Sequence, residues 1–408
     1  MATPVHQRAS RDDEERSRHA YDHATEGIDA PLAIVDIDAF DANLDDLVRR
    51  AKGTPIRLAS KSLRCRFLLE RALAALGTAG VLAYSLAEAL WLREQGVSGD
   101  IVVAYPTVDA GAVRALAADD GACEAITIMV DTADHLDLID RLLGADHPTL
   151  RVCLELDVSW RPVPGLHIGP RRSPIHTPEQ AAAFARHVAA RDGFELVGLM
   201  GYEGQIAGVG DAAGNPASSL TVRLMRWRSS AELTERRAAA VRAVREIAEL
   251  EFVNGGGTGS IETTIADESV TEVAAGSGLI GPTLFDAYRD FRPRPAVLFA
   301  LPVVRKPAPG IATLFAGGYV SSGAAGRSRL PRPHLPAGLR LLEMEGAGEV
   351  QTPVTGAAAD DLAIGDKVWL RHAKAGELAE RFDVYHVVSG GQREQTVLTY
   401  RGEGKNFG

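Results

Sequence analysis

The sequence predicts an α/β protein, a (β/α)8 barrel followed by a C-terminal antiparallel β-domain. Three observations carry this. From Leu32 onward, nine short aliphatic runs alternate with amphipathic helical stretches, the pattern of βα units on a parallel sheet. The stretch from Pro55 to Arg294 has the length of an eightfold barrel, roughly 250 residues. After Arg292-Pro293-Arg294-Pro295 the helical periodicity fades, and short alternating runs between Gly, Pro and Asp turns take over.

Residues 1–30 are polar and charged without a core-forming run, and read as a surface arm with partial helix. The strand-like runs are LAIVDI (32–37), PIRLAS (55–60), GVLAYS (80–85), DIVVAYP (100–106), AITIMVD (125–131), LRVCLELDV (150–158), FELVGLM (194–200), LEFVN (250–254) and VTEVAA (270–275). After Asp38 as N-cap, Phe40, Leu44, Leu47 and Val48 fall on one helical face, and similar faces follow the later runs. A barrel of the TIM type needs eight strands, so one run is surplus. The economical assignment gives 32–37 to the second domain; an open doubly wound sheet is the competing topology. The domains are then an arm over 1–30, the barrel domain over 31–295 and a β-domain over 296–408, the latter holding GIATLFAGGYV, LRLLEMEGAGEV, IGDKVWLRH and FDVYHVVSGG.

Composition excludes several roles. The 408 residues carry 44 Lys+Arg against 54 Asp+Glu, a net charge of −10, with no basic block. Surfaces that track nucleic acid or anionic lipid concentrate positive charge, so neither is an expected partner. Three cysteines without a CxxC pair point to a reducing compartment and against a thiolate metal site. The N-terminus lacks an apolar signal core, and the greasy run Ala296–Val304 is too short to span a bilayer. A soluble, cytoplasmic protein is expected.

Two local features bear on chemistry. In IRLASKSLRCRFLLE, Lys61 follows an apolar strand directly and precedes a helix. Barrel enzymes place catalytic groups at the C-terminal ends of strands, and a desolvated lysine is the residue that bonds to carbonyl carbons. Position alone leaves a solvated lysine at a helix start as the alternative. In LEFVNGGGTGSIETT, a strand runs into Gly255, Gly256, Gly257, Thr258, Gly259 and Ser260. Such a turn can aim backbone N–H groups at an anion, and barrel phosphate sites use the loops after the seventh and eighth strands. It lacks a P-loop lysine, and Ser260 stands in the last glycine place of GxGxxG, so nucleotide fingerprints match poorly.

A strand-end lysine followed far downstream by a phosphate turn is the pairing that pyridoxal 5′-phosphate (PLP) needs. Over residues 31–408 the chain resembles the alanine-racemase-type (fold type III) PLP enzymes, in the branch of D-threonine aldolases, D-serine dehydratases and the amino acid deaminase/aldolase proteins. The resemblance rests on the order of PLAIVDIDAFDANL, RLASKSLR, GLMGYEGQIAG, VNGGGTGS, TEVAAGSG and GDKVWLRHAK. It implies that Lys61 carries the cofactor and that Gly256, Gly257 and Thr258, with Ser277 and Gly278, hold its phosphate. Arg161 is a candidate for the cofactor's phenolic oxygen or a substrate carboxylate, with a solvated side chain as the alternative, and Tyr202 is a candidate cofactor contact. Gln205 stands where the resembled lyases often have His, and Glu203 reads as structural or solvated.

The resembled lyases bind a divalent metal with a His-x-Asp or His-x-Cys pair. Here the segment reads His372-Ala373-Lys374. An ammonium is no ligand, so His372 is the only candidate of the pair, with Glu377, Glu380 or Asp383 as substitutes. Alternatively, Lys374 stands in for part of the metal's charge, with His372 as acid or base. The expected function is a PLP-dependent lyase on a small β-hydroxy amino acid of D configuration, by aldol cleavage or by dehydration and deamination. An amino acid racemase of the same fold and a non-catalytic PLP-binding protein are the alternatives. The resemblance also implies a homodimer.

Overall fold

The computed structural model describes residues 11–210, 216–289 and 291–408. The chain forms two units. The barrel unit comprises Asp46–Lys61, Leu68–Gly276 and Phe407–Gly408; the β-unit comprises Ser62–Phe67 and Ser277–Asn406 with the N-terminal segment through Asp45. The first strand, β1 (Leu32–Asp36), belongs to the β-unit.

The barrel strands are β2 (Ile56–Ala59), β3 (Thr78–Ala83), β4 (Ile101–Val103), β5 (Ile126–Val130), β6 (Leu150–Glu155), β7 (Phe194–Gly201), β8 (Phe252–Gly255) and β9 (Glu272–Ala275). All are parallel, and β2 pairs with β9 through Ile56↔Val273 and Leu58↔Ala275, which closes the sheet and excludes the open alternative. Strands covered on both faces read as continuous apolar runs, and every residue of Ile126–Val130 is buried. Leu82, Val102, Met129, Cys153, Met200 and Phe252 form one core cluster. Buried Arg57 ties β2 to β9 through Glu272 at 2.6 Å and reaches Asp100 at 2.8 Å. Helices between strands start on capping side chains, Ser85, Asp109, Asp119 and Thr177, each contributing about 1 kcal/mol. The helix after β1, Ile37–Ala51, begins two residues earlier than Asp38 suggested: Asp36 accepts the Ala39 N–H at 2.9 Å, while Asp38 accepts from Ser389 and Gly390.

The β-unit holds β10 (Val297–Ala308), β11 (Ile311–Phe315), β12 (Arg332–Leu335), β13 (Arg340–Leu341), β14 (Gln351–Thr355), β15 (Lys367–Arg371), β16 (Val384–Ser389) and β17 (Gln392–Leu398). Its sheet runs β13-β14-β11-β10-β1-β16-β17, with β15 also on β10 and β12 on β15. Pairing is antiparallel throughout except β1 with β16. The surplus ninth run thus lies in the second sheet, between β10 and β16.

Two boundaries move. The first ten residues of the arm lie outside the described residues, but Arg11–Ala24 is a helix that places Tyr21 and Ala24 in a core cluster with Leu32, Ile34, Leu298 and Trp369. Asp22 accepts the Trp369 indole N–H at 2.8 Å, and Asp36 accepts the Tyr21 hydroxyl at 2.7 Å. A helix that buries only two of its residues leaves little trace in composition. The segment from Ser277 to Arg294 also counts with the β-unit. The Asn43 amide donates to the carbonyls of Leu279 and Arg294, each at 2.9 Å, and the Thr283 N–H donates to the His372 carbonyl at 3.0 Å. Among the described residues no helix is long and apolar enough to cross a membrane.

Candidate active site

Strand β2 ends at Ala59 and passes into a 3-10 turn, Ser60–Ser62, in which both serines are buried and Lys61 is exposed. The Ser60 hydroxyl donates to the Leu82 carbonyl at 3.2 Å, fixing the turn to the neighbouring strand. Lys61 Nζ reaches Tyr105 Oη, just past β4, at 3.3 Å. The Arg172 guanidinium lies 5.1 Å from the Tyr105 ring centre and 4.7 Å from that of Tyr202, and donates to Glu155 at 3.4 Å. Burial raises the Tyr105 phenol, but the Lys61 and Arg172 cations outweigh it and hold the phenol below its ordinary value. Tyr202 is pushed up, by burial foremost. Burial also raises Glu155, with Arg172 opposing.

The second half of the site is the turn after β8. Gly256 adopts φ +83°, which only glycine takes without strain. Its N–H donates to the Glu203 carboxylate at 2.5 Å. Glu203 pairs with Arg237 at 2.6 Å, Arg237 with Asp267 at 2.7 Å, and Thr264 Oγ1 donates to Glu203 at 3.3 Å. Glu203 is therefore a buried anchor of the turn. The Gly256 N–H is committed to it, which corrects the expectation that this group faces a phosphate. At Gly257 a Cβ would stand 3.0 Å from the Ala207 methyl and 3.3 Å from Tyr202 Cε2, so the missing side chain leaves a hollow against Tyr202. The Thr258 carbonyl accepts from Arg50 at 2.8 Å, and Arg226, on the helix Pro216–Arg245, donates to the Gly259 carbonyl at 3.2 Å.

Strands β2 and β8 flank β9, so Lys61 and the glycine turn leave the same end of the barrel. Lys61, Tyr105, Arg172, Tyr202 and Gly257 then form a continuous sequence of neighbours from the lysine to the turn. An amine at one end and a glycine hollow with a nearby guanidinium at the other fit an aldehyde that carries a phosphate.

The other sequence candidates have contacts of their own. Arg161 turns back to Asp157 and to the Ser159 hydroxyl, and the arginine on Tyr105, the partner of Lys61, is Arg172. Gln205 is buried, its amide donating to the Val158 carbonyl at 2.7 Å and to Ser229 at 3.2 Å. Ser277 and Gly278 open a 3-10 helix, Ser277–Ile280, in the β-unit.

His372 and Lys374 also lie in the β-unit. His372 is buried and neither ring nitrogen has a hydrogen-bond partner among the described residues. Burial, with Arg371 beside it, pushes its pKa down to about 3, so it is neutral near pH 7 and does not serve there as a general acid. Lys374 Nζ donates to Ser322 Oγ at 3.0 Å. The substitutes are engaged as well: Glu377 accepts the Ser322 N–H at 3.0 Å, Glu380 pairs with Arg64 and Asp383 with Arg401. Among the described residues no three His, Cys, Asp or Glu side chains converge as metal ligands. One neutral imidazole beside an ammonium does not fit a divalent ion.

Sequence reasoning missed Tyr105 and Arg172. Tyr105 was accessible to the argument used for Lys61, since it stands at the C-terminal end of the run DIVVAYP, two residues past Val103. Arg172 stands seventeen residues beyond the end of β6 in an irregular loop, where no periodicity marks it.

Comparison with known proteins bears on the family and the fold. The family model described as alanine racemase, N-terminal domain, matches residues 35–283. A D-threonine aldolase from Arthrobacter sp. is 26% identical over 305 residues, 71% of this chain and 72% of that protein. Among solved structures, the D-threonine aldolase from Filomicrobium marinum superposes with a TM-score of 0.75 at 22% identity, covering 92% of this chain and 96% of the other. The D-threo-3-hydroxyaspartate dehydratase from Delftia sp. HT23 gives a TM-score of 0.68 at 20% identity, with coverages of 91% and 98%. With a match over more than half its length, a closed barrel and a second sheet, the chain belongs to the alanine racemase N-terminal domain family, the fold type III enzymes of pyridoxal 5′-phosphate.

Proposed function

We propose that the protein is a PLP-dependent lyase acting on a small β-hydroxy amino acid of D configuration, by aldol cleavage or by dehydration and deamination. The observation that carries this reading is the run of neighbours from Lys61 through Tyr105, Arg172 and Tyr202 to the hollow at Gly257. The names of its relatives support the substrate class. The cofactor supplies an electron sink that weakens bonds to the substrate's Cα. Lys61 holds it covalently and returns after turnover. The Gly257 hollow receives the phosphate, with Thr258 and the Arg226 cation beside it. Tyr202 and Arg172 wall the space between, aligning the bound group and reducing the water in contact with it. The same reading takes the enzyme to be a cytoplasmic homodimer.

The test combines mapping with turnover. Borohydride reduction of the cofactor-loaded protein followed by peptide mapping is expected to place a pyridoxyl group on Lys61. Incubation with D-threonine, D-serine and their L-enantiomers is expected to release glycine plus aldehyde, or ammonia plus keto acid, from D-substrates alone. Labelling of a different lysine overturns the site, and racemisation without cleavage or deamination overturns the reaction.

A further inference from the structure

We propose that Tyr105 is a catalytic residue of this site: its phenolate oxygen takes a proton from the Lys61 ammonium, releasing the free amine, and gives it back when the amine leaves its adduct. The inference rests on Lys61 as the cofactor lysine.

The geometry selects Tyr105 within the barrel mouth. A nitrogen 3.3 Å from Oη and 5.8 Å from the ring centre sits at the hydroxyl end of the ring, where a proton can pass, and not over its face. A lysine attacks a carbonyl only as the free amine, so a group within hydrogen-bond reach must hold the displaced proton. The transfer is balanced: Lys61 Nζ–H⁺ and Tyr105 O⁻ become a neutral amine and a neutral phenol, with no other reactant.

The neighbours favour this assignment. The charged and titratable groups around the ring are Lys61 after β2, Arg172 from the loop beyond β6, and Tyr202 after β7, with Glu155 reached through Arg172. Two cations against one phenol stabilise its ionised form. Tyr202 is the other tyrosine of the cluster. Its hydroxyl lies toward Gly208, and burial moves its phenol upward, so it is a poorer base than Tyr105.

The first experiment needs no cofactor and no change at Tyr105. Ultraviolet titration of the full-length apo-protein is expected to show one tyrosine ionising below the others in wild type, and that step is expected to move upward in Lys61→Met. Absence of the early step, or its indifference to Lys61→Met, overturns the proposal. The second measures capture of pyridoxal phosphate by Tyr105→Phe, which keeps the ring. The bimolecular rate at neutral pH is expected to fall about 100-fold, the worth of one positioned acid–base group. Affinity for pyridoxine phosphate, which has no aldehyde, is expected to stay at the wild-type value. Capture by Tyr105→Phe at the wild-type rate overturns the Tyr105 role while leaving Lys61 in place. A pyridoxyl group mapped to another lysine instead overturns the reading of Lys61 itself.

Discussion

The carboxylate of Glu203 accepts the backbone N–H of Gly256 at 2.5 Å, so an acid from the end of one barrel strand holds the turn that follows the next. Glu203 faces Arg237 at 2.6 Å with both side chains about 2% exposed. Glu203→Gln keeps an acceptor for Gly256 but leaves Arg237 with Asp267 alone. Breaking one arm of a buried pair is expected to cost about 3 kcal/mol. Urea unfolding measures this, and a pyridoxal phosphate titration of the same variant is expected to show weaker binding because the turn loosens. Wild-type values in both contradict the anchor role.

Gly257 tests the hollow itself. Its backbone is not left-handed; the positive φ belongs to Gly256, so a side chain at Gly257 is refused by Ala207 and Tyr202 and not by backbone strain. Gly257→Val is therefore expected to fold and to lose at least tenfold in affinity for pyridoxal phosphate, by filling the space where the phosphate docks. A folded variant with unchanged affinity removes Gly257 from the site.

The sequence already contained the strand order, the barrel length and the leading strand's exchange, because parallel strands covered on both faces are written as short continuous apolar runs. Lys61 follows such a run directly, and Tyr105 closes another. Arg172 is different: an arginine in a long loop has no register, and only the folded chain sets it between two tyrosine rings. Glu203, read as structural or solvated, proves structural, and its buried partner was hidden for a related reason, since Arg237 is thirty-four residues away on a helix that reads as mainly polar. The short strand β12 was unreadable because a four-residue element carries too little alternation, whereas β13 falls within the run LRLLEMEGAGEV.

His334 gives a pH dependence. Burial, reinforced by the Arg371 guanidinium and only partly opposed by Asp286, lowers its pKa to about 4. A histidine depressed in the native state binds its proton more readily when unfolded. Its contribution is therefore complete above about pH 6.5 and is lost as the pH falls toward 4. Between pH 7 and pH 5 this residue is expected to remove about 2 kcal/mol of stability. Urea unfolding of His334→Gln at both pH values is expected to show a drop smaller than wild type by that amount. An equal drop in the two proteins refutes the assignment.

The donor set around His372 leads to an expectation about metal. Lys374 stands where the resemblance leads one to expect a second ligand and donates to Ser322, and Glu377, Glu380 and Asp383 are held by other partners. Lyase activity is expected to survive exhaustive chelation. On the reading that its ammonium takes over part of the metal's charge, Lys374→Ala is expected to lower kcat about 100-fold. Stoichiometric divalent metal, with activity abolished by chelator and restored by Mn²⁺ or Zn²⁺, overturns this, as does full activity in Lys374→Ala.

The pairing of β1 has a consequence for biosynthesis. Ile34 is bonded in register to Leu298 on one side and to His386 on the other. The ribosome therefore releases β1 with both edges bare and must add the entire barrel before either neighbour exists. The barrel strands find all their partners among themselves within 56–275 and can assemble while translation continues. Closing so long a loop is slow, so the β-unit is expected to be the late-folding half of the nascent chain, its apolar edge strand a target for chaperones in the interval.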